Sequence, residues 1–168
     1  MSVELLAPIS EEILSSIGLL PKQIIGKTIS IHTEKSGLPE FKNADIALIG
    51  VSEIRNSFFP NTQYNLSDFR KAFYQLYPGN WSLTLVDLGD LPNGETVEDT
   101  YFALQEICTQ LRQTNVIPVI FGGSHDLIYP LYRSFSAGSQ LVNLVSIDSQ
   151  FDFSQQEELI SGRSYMSK

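Results

Sequence analysis

The sequence has 168 residues and is poor in several residue types, and each shortage excludes a class of protein. It holds one cysteine, Cys108, and therefore cannot form an intrachain disulfide, which is typical of a reducing compartment and predicts a cytoplasmic location. Its 11 basic residues are outnumbered by 19 acidic ones, for a formal net charge of −8. Because nucleic-acid binding depends on clustered Lys and Arg, neither DNA nor RNA is expected as a partner.

Long hydrophobic stretches are also missing. No apolar run approaches the roughly 20 residues of a membrane span, and the N-terminus has neither the basic start nor the cleavage site of a signal peptide. With 42% hydrophobic and 18% charged residues, the composition is instead that of a globular protein. We expect one soluble domain over residues 1–168, a length that can bury roughly 70% of the unfolded surface.

Short apolar runs separated by amphipathic segments indicate the fold class. Four runs have the near-continuous hydrophobicity of strands covered on both faces: residues 44–51, 83–87, 116–121 and 141–148. Helical periodicity between them predicts helices over 67–77 and 99–112. Because parallel strands need crossover connections, this alternation predicts an α/β fold with a parallel sheet.

The two ends of the chain are less regular. We expect a short helix over 9–17, an extra strand over 24–31 and one short helix within 154–168. A sheet of only four or five strands would leave an unpaired edge. More chain or another subunit would have to cover that edge, so a homo-oligomer is one expected arrangement.

Carboxylates and one imidazole follow three of the predicted strands, in the loops 87–90, 122–126 and 148–152. In open parallel sheets, ligands bind beyond the carboxyl ends of the strands, and these loops should meet there. Gly122 and Gly123 permit a close backbone approach that lets His125 point to the same place. Carboxylate and imidazole together form a ligand set suited to a divalent metal such as Mn²⁺.

Taken in order, these motifs resemble the ureohydrolase family of arginases, agmatinases and formimidoylglutamases. G-G-S-H-D at 122–126 and D-S-Q-F-D at 148–152 are similar to the family's first two metal motifs, G-G-D-H-S and D-A-H-x-D. Upstream, residues 44–51 resemble the first core strand of the family, and V-D-L-G-D at 86–90 resembles its V-D-x-G-D turn. The resemblance covers about residues 44–153.

The resemblance implies a three-layer α/β/α fold with an eight-stranded parallel sheet, of which this chain would form the N-terminal half. It also implies two Mn²⁺ ions and a bridging hydroxide that attacks an amidine or guanidine carbon. His125 and Asp152 match ligands of the first metal, and Asp148 matches the carboxylate that bridges both. Gln150 replaces the histidine that binds the second metal, so the motif is degenerate.

The family's third motif, S-x-D-x-D-x-x-D-P, has no counterpart in the sequence. We therefore expect this chain to be either the N-terminal portion of a longer protein or a natural truncation.

Each candidate ligand also has a purely structural interpretation. His125 could cap a helix over 127–135, and Asp148 and Asp152 could accept hydrogen bonds from loop amides. The Gln150 amide could complete such a network without any ion. The sequence assigns no catalytic residue and no organic cofactor.

The favoured function is hydrolysis of linear amidine or guanidine C–N bonds, formimidoylglutamase-like and Mn²⁺-dependent. The alternative is a non-catalytic family member whose decayed metal site serves as a scaffold for a small molecule or a protein. A Mg²⁺-binding module of the flavodoxin-like or phospho-acceptor type is disfavoured, because no acidic pair follows the first strand.

Overall fold

The computed structural model describes residues 2–18, 21–57, 65–80, 82–136, 142–153 and 160–167. Four parallel strands form one sheet in the order β1-β3-β2-β4. The strands are β1 (Ser30–Ile31), β2 (Ile46–Val51), β3 (Leu85–Leu91) and β4 (Ile117–Phe121). The helices are α1 (Glu11–Gly18), α2 (Ile25–Thr28), α3 (Leu66–Tyr74), α4 (Val97–Gln113) and α5 (Ile128–Ser136). The predicted α/β class with a parallel sheet is confirmed.

Helices cover the sheet on both faces, which makes three layers. One apolar cluster joins β2 and β3 to α4 and includes Leu104, Cys108 and Leu111. The other cluster joins the opposite face of the sheet to α1, α2 and α3. Cys108 is fully buried in the first cluster as a small core residue, and burial raises its pKa to about 12.

The helix starts follow from local capping. Asn65 accepts hydrogen bonds from two backbone N–H groups at the start of α3. Thr96 and Asp99 form a reciprocal capping box at the start of α4, which satisfies backbone donors that the helix itself cannot pair. Both helices therefore begin within two residues of their predicted starts. In the described ranges, none of the helices has the length and hydrophobicity needed to cross a membrane.

The register between β2 and β3 shifts by one residue between Asp87 and Asp90, the segment that contains Gly89. Gly89 has φ +94°, and a Cβ at this position would lie 2.0 Å from the Ala7 carbonyl oxygen. Only glycine fits such a bulge, where the backbone is left-handed and a second segment approaches closely. The bulge also turns the end of β3, so that Asp87 and Asp90 both reach the same guanidinium.

Two strand predictions, at 24–31 and at 141–148, differ from the structure. Residues 24–31 do not form one strand, because α2 occupies most of this segment and β1 has two residues. Residues 142–148 form no strand; they are irregular, with Val145 and Ile147 84% and 99% exposed. Residues 141, 154–159 and 168 lie outside the described residues.

Residues 142–148 lack the pairing that a strand requires. A β-strand is stable only when its N–H and C=O groups pair with a neighbouring strand. Within the described part of the chain, β4 pairs with β2 alone, so its other edge is open, and Ile117 on β4 is 60% exposed. Residues 142–148 have the apolar pattern of a strand but pair with none of the described strands, although this edge of β4 is open.

Candidate metal centre

The turn after β4 is shaped by two glycines. Gly122 and Gly123 have φ values of +84° and +69°. A Cβ on Gly122 would lie 2.6 Å from the Val51 carbonyl oxygen, and one on Gly123 would lie 3.0 Å from that of Glu53. The turn is thus pressed against the end of β2, as the predicted close approach requires.

Hydrogen bonds then fix the residues on either side of His125. The Ser124 backbone N–H donates to the Glu53 carbonyl oxygen at 3.0 Å. Asp126 is fully buried and accepts a hydrogen bond from the Tyr101 hydroxyl on α4. Burial and this bond raise the pKa of Tyr101, which keeps the phenol protonated as a donor. His125 therefore sits on a turn anchored to β2 and to α4.

The three predicted ligands with titratable side chains lie together at this turn. His125 Nδ1 lies 2.9 Å from Asp148 Oδ2 and 3.7 Å from Asp152 Oδ2. One potential ligand atom from each residue lies within 4.8 Å of the others. The His125 side chain is 58% exposed, whereas those of Asp148 and Asp152 are 14% and 4% exposed. Asp152 is thus the buried member of the cluster, and the exposed His125 leaves the cluster open on one side.

The two oxygens of Asp148 have separate partners. Oδ1 accepts a hydrogen bond from the Gln150 backbone N–H at 3.2 Å, and the Ser149 hydroxyl lies 3.4 Å from it. Oδ2 faces His125. Oδ1 of Asp148 therefore stabilises the loop, as the structural interpretation expects, and Oδ2 points into the cluster.

Asp152 provides the test of whether a cation fits. Its Oδ2 is buried and has no hydrogen-bond partner among the described residues. A buried carboxylate oxygen without a partner is costly, and a bound cation is one of the few groups that compensate for it. Ligands of a divalent ion lie about 2 to 2.2 Å from it and hence up to about 4.4 Å apart. The observed spacing needs only small side-chain adjustments, so the three residues fit one cation.

Gln150 is the fourth predicted ligand, and its role stays a prediction. The residue is exposed, and its backbone N–H contacts the cluster through the hydrogen bond to Asp148. A neutral amide oxygen is a weaker ligand than the imidazole that it replaces in the family motif.

The carboxylates of the loop 87–90 do not join the cluster, contrary to the prediction that all three loops converge. Asp87 forms a bidentate pair with Arg70 at 2.9 and 3.0 Å, and Asp90 accepts from the same guanidinium at 2.6 Å. Arg70 is fully buried in α3 and takes both negative charges. Sequence reasoning missed this because no motif relates Arg70 to Asp87, 17 positions away.

Two further residues near the centre were also missed. Glu53 is fully buried and accepts hydrogen bonds from Arg55 and the Thr100 hydroxyl, which joins the end of β2 to the start of α4. Tyr165, in a 3₁₀ turn at Tyr165–Ser167, is 4% exposed. Burial raises its pKa, and the carboxylates of Asp152 and Asp148 add to that effect. Neither residue lies in a recognisable motif.

Comparison with known proteins identifies the family of this chain. A family model described as the arginase family matches residues 44–166, which is most of the chain and includes all four predicted ligands. The chain belongs to the arginase family. No curated protein matches it.

Solved structures agree on the fold at low sequence identity. The formiminoglutamase of Trypanosoma cruzi, solved with Mn²⁺, is 18% identical with a TM-score of 0.64 over 86% of this chain. The formimidoylglutamase of Bacillus subtilis is 16% identical, with a TM-score of 0.67 over 86% of this chain. The agmatine ureohydrolase of Thermoplasma volcanium is 18% identical, with a TM-score of 0.65 over 94%. The arginase-family chain described here spans 51%, 47% and 52% of their respective lengths.

Proposed function

We propose that His125, Asp148 and Asp152 hold one divalent cation, with Mn²⁺ as the expected ion. The observation that carries this proposal is the buried, unpartnered Asp152 Oδ2, which faces the same imidazole nitrogen as Asp148 Oδ2. Two carboxylates give the cluster a charge that a divalent ion would neutralise. Gln150 is proposed as a weak additional ligand from the open side.

We propose further that the cation serves hydrolysis of a linear C–N bond in an amidine or guanidine, with a formimidoylglutamase-like substrate preferred. Family membership and the formimidoylglutamase and agmatinase neighbours support this substrate class. A bound divalent ion lowers the pKa of a coordinated water and polarises the substrate. The chain's own part is to orient three ligands on two anchored loops and to leave the exposed side of His125 open to substrate.

Metal binding by the full chain tests the first step. Isothermal titration with Mn²⁺ should give about one site per chain, and Asp152→Asn should weaken binding at least tenfold because it removes the unpartnered charge. Asp68→Asn, an exposed carboxylate on α3, is the matched control and should bind like the unmodified chain. A chain that binds no Mn²⁺, or an Asp152 variant that binds equally well, refutes the proposed site.

Activity tests the second step. The Mn²⁺-loaded chain is assayed for formamide or ammonia from formimidoylglutamate and for urea from agmatine. Product release that is lost in Asp152→Asn supports the hydrolase. Binding of Mn²⁺ without any turnover refutes catalysis by this chain and favours the second candidate.

The second candidate is a non-catalytic scaffold with a decayed site, which binds a small molecule or a protein. The replacement of the family imidazole by Gln150 favours it, since the amide is neutral and exposed. On this view Gln150→His restores a ligand, and Mn²⁺ affinity should rise about tenfold or more. An unchanged affinity would count against this second candidate.

Location and assembly belong to the same proposal. We place the chain in the cytoplasm, as the single buried cysteine and the acidic composition suggest, with a small molecule rather than nucleic acid or membrane as its partner. A homo-oligomer would cover the open edge of β4. Sedimentation velocity at two concentrations tests this, and a monomer at both would contradict it.

A further inference from the structure

A buried donor lies beside the metal cluster. The Tyr165 hydroxyl is buried close to the Ser146 hydroxyl and the Asp152 carboxylate, but, like Asp152 Oδ2, it lacks a partner at full hydrogen-bond geometry among the described residues. The two residues are adjacent, because the Met166 backbone N–H donates to the Asp152 carbonyl oxygen at 3.3 Å. Buried hydroxyls and carboxylates are rarely left unpaired, so an unpaired donor and an unpaired acceptor side by side need an explanation.

The turn that carries Tyr165 is itself fixed. Asn56, which follows β2, donates to the Ile160 carbonyl oxygen at 2.8 Å and accepts at its own carbonyl from the Gly162 N–H at 3.1 Å. The Ser161 N–H and the Ser164 hydroxyl, 3.0 Å apart, close the turn that leads to Tyr165. The phenol therefore approaches Asp152 from a segment tied to the same end of β2 as the His125 turn.

We propose that Tyr165 is a positioning residue of the metal centre: its hydroxyl donates to the Asp152 carboxylate and directs Oδ2 toward His125 and Asp148. A carboxylate oxygen has more than one lone pair, so it can accept this bond and still bind a cation. Ligating carboxylates are commonly oriented by such hydrogen bonds, whose removal lowers metal affinity about 10- to 100-fold. This inference rests on the proposed cation site and adds to it a residue outside the motifs that match the family's metal-binding pattern.

The experiment measures Mn²⁺ affinity of the full chain by titration. Tyr165→Phe keeps the ring and removes only the donor, and it should raise the dissociation constant about tenfold or more. Tyr74→Phe is the matched control, because the Tyr74 hydroxyl is also buried and donates to a carboxylate, that of Asp87. Tyr74→Phe should lower stability but leave Mn²⁺ affinity within about twofold of the unmodified chain, since it lies outside the metal centre.

The outcomes separate this inference from the cation site itself. If the unmodified chain binds no Mn²⁺, the proposed site fails. If it binds Mn²⁺ and Tyr165→Phe binds equally well, the site stands and the role of Tyr165 is refuted. An equal loss of affinity in both tyrosine variants would show a general effect of destabilisation and would also refute it.

Two additional measurements cover the remaining cases. The Ser146 hydroxyl is another polar neighbour of Tyr165, and Ser146→Ala should leave Mn²⁺ affinity unchanged. If Ser146→Ala lowers Mn²⁺ affinity as much as Tyr165→Phe does, the Tyr165 hydroxyl acts through Ser146 and not through Asp152, and the proposal is overturned. If Tyr165→Phe does not fold, nuclear magnetic resonance of the unmodified chain decides: bound Mn²⁺ should broaden the ring signals of Tyr165, and unbroadened signals would refute the proposed contact.

Discussion

Replacement of Asp87 by asparagine removes the main counter-charge of a guanidinium that has no access to water. Arg70 is fully buried, and Asp87 accepts two of its hydrogen bonds as well as one from the Tyr74 hydroxyl at 2.7 Å. Burial opposes the charge on Arg70, but the hydrogen bonds and charges of Asp87 and Asp90 outweigh it and raise the pKa of Arg70. Arginine is not deprotonated in proteins, so the guanidinium keeps its charge in the variant after its main counter-charge is gone.

The expected magnitude follows from the geometry. An asparagine amide accepts hydrogen bonds through its one oxygen, so its NH₂ group would face an N–H group of the guanidinium. Because both groups are donors, one of the two parallel hydrogen bonds is lost and replaced by a repulsive contact. Removal of one partner of a buried ion pair costs about 3–5 kcal/mol. Typical domains have a free energy of unfolding of only about 5–15 kcal/mol, so Asp87→Asn should leave the chain marginal.

Urea denaturation followed by circular dichroism measures this change. With a slope of about 2 kcal/mol per molar urea, a loss of about 4 kcal/mol lowers the midpoint by about 2 M. Asp90→Asn is the control, because the Asp90 side chain is 35% exposed and solvent can replace part of its contact with Arg70. It should cost about 1 kcal/mol. A loss below about 1 kcal/mol for Asp87→Asn, or equal losses for both variants, would refute the reasoning.

Two further predictions concern buried titratable groups. Burial favours the neutral form of Glu53, but hydrogen bonds from Arg55 and Thr100 outweigh it and hold its pKa below the ordinary value of 4.5. The ionised carboxylate thus stabilises the fold above about pH 4.5, and this contribution is lost as the pH falls through the pKa of Glu53 in the folded chain. Glu53→Gln should therefore be less stable than the unmodified chain at neutral pH and equally stable in acid. A difference in the free energy of unfolding that stays constant with pH would contradict this. Cys108, with its pKa raised by burial to about 12, should react with a thiol reagent at about pH 8 only as fast as the chain unfolds, and rapid labelling of the folded chain would disprove its burial.

The sequence of the candidate metal centre differs from the family's motifs in two places. Ser124 and Asp126 are exchanged relative to the family motif, and both stabilise the turn, since Ser124 bonds to the Glu53 backbone and Asp126 to Tyr101. The exchange therefore leaves His125 in place. The alteration at Gln150 is different, because it removes a possible ligand without replacing its chemistry.

Local chemistry made much of the fold predictable. The apolar runs at 44–51 and 116–121 became β2 and β4. The residues of β2 are buried or half-buried throughout, as expected for a strand covered on both faces, whereas Ile117 and Val119 of β4 are exposed. Thr96 and Asp99 fixed the start of α4 through a capping box. The run at 141–148 has the same composition, yet residues 142–148 form no strand, because pairing depends on which strand lies alongside.

For the candidate site, the sequence alone determined the residue types, their order and the loops that carry them: an imidazole after a glycine pair and two carboxylates four positions apart. Only the tertiary structure decided that Asp87 and Asp90 belong to Arg70, and that Tyr165 lies beside Asp152. The physical reason is the distance along the chain over which each kind of interaction acts. Strand and helix preferences act between residues close in the chain, whereas pairing of buried charges and donors depends on distances that exist only after the layers have packed.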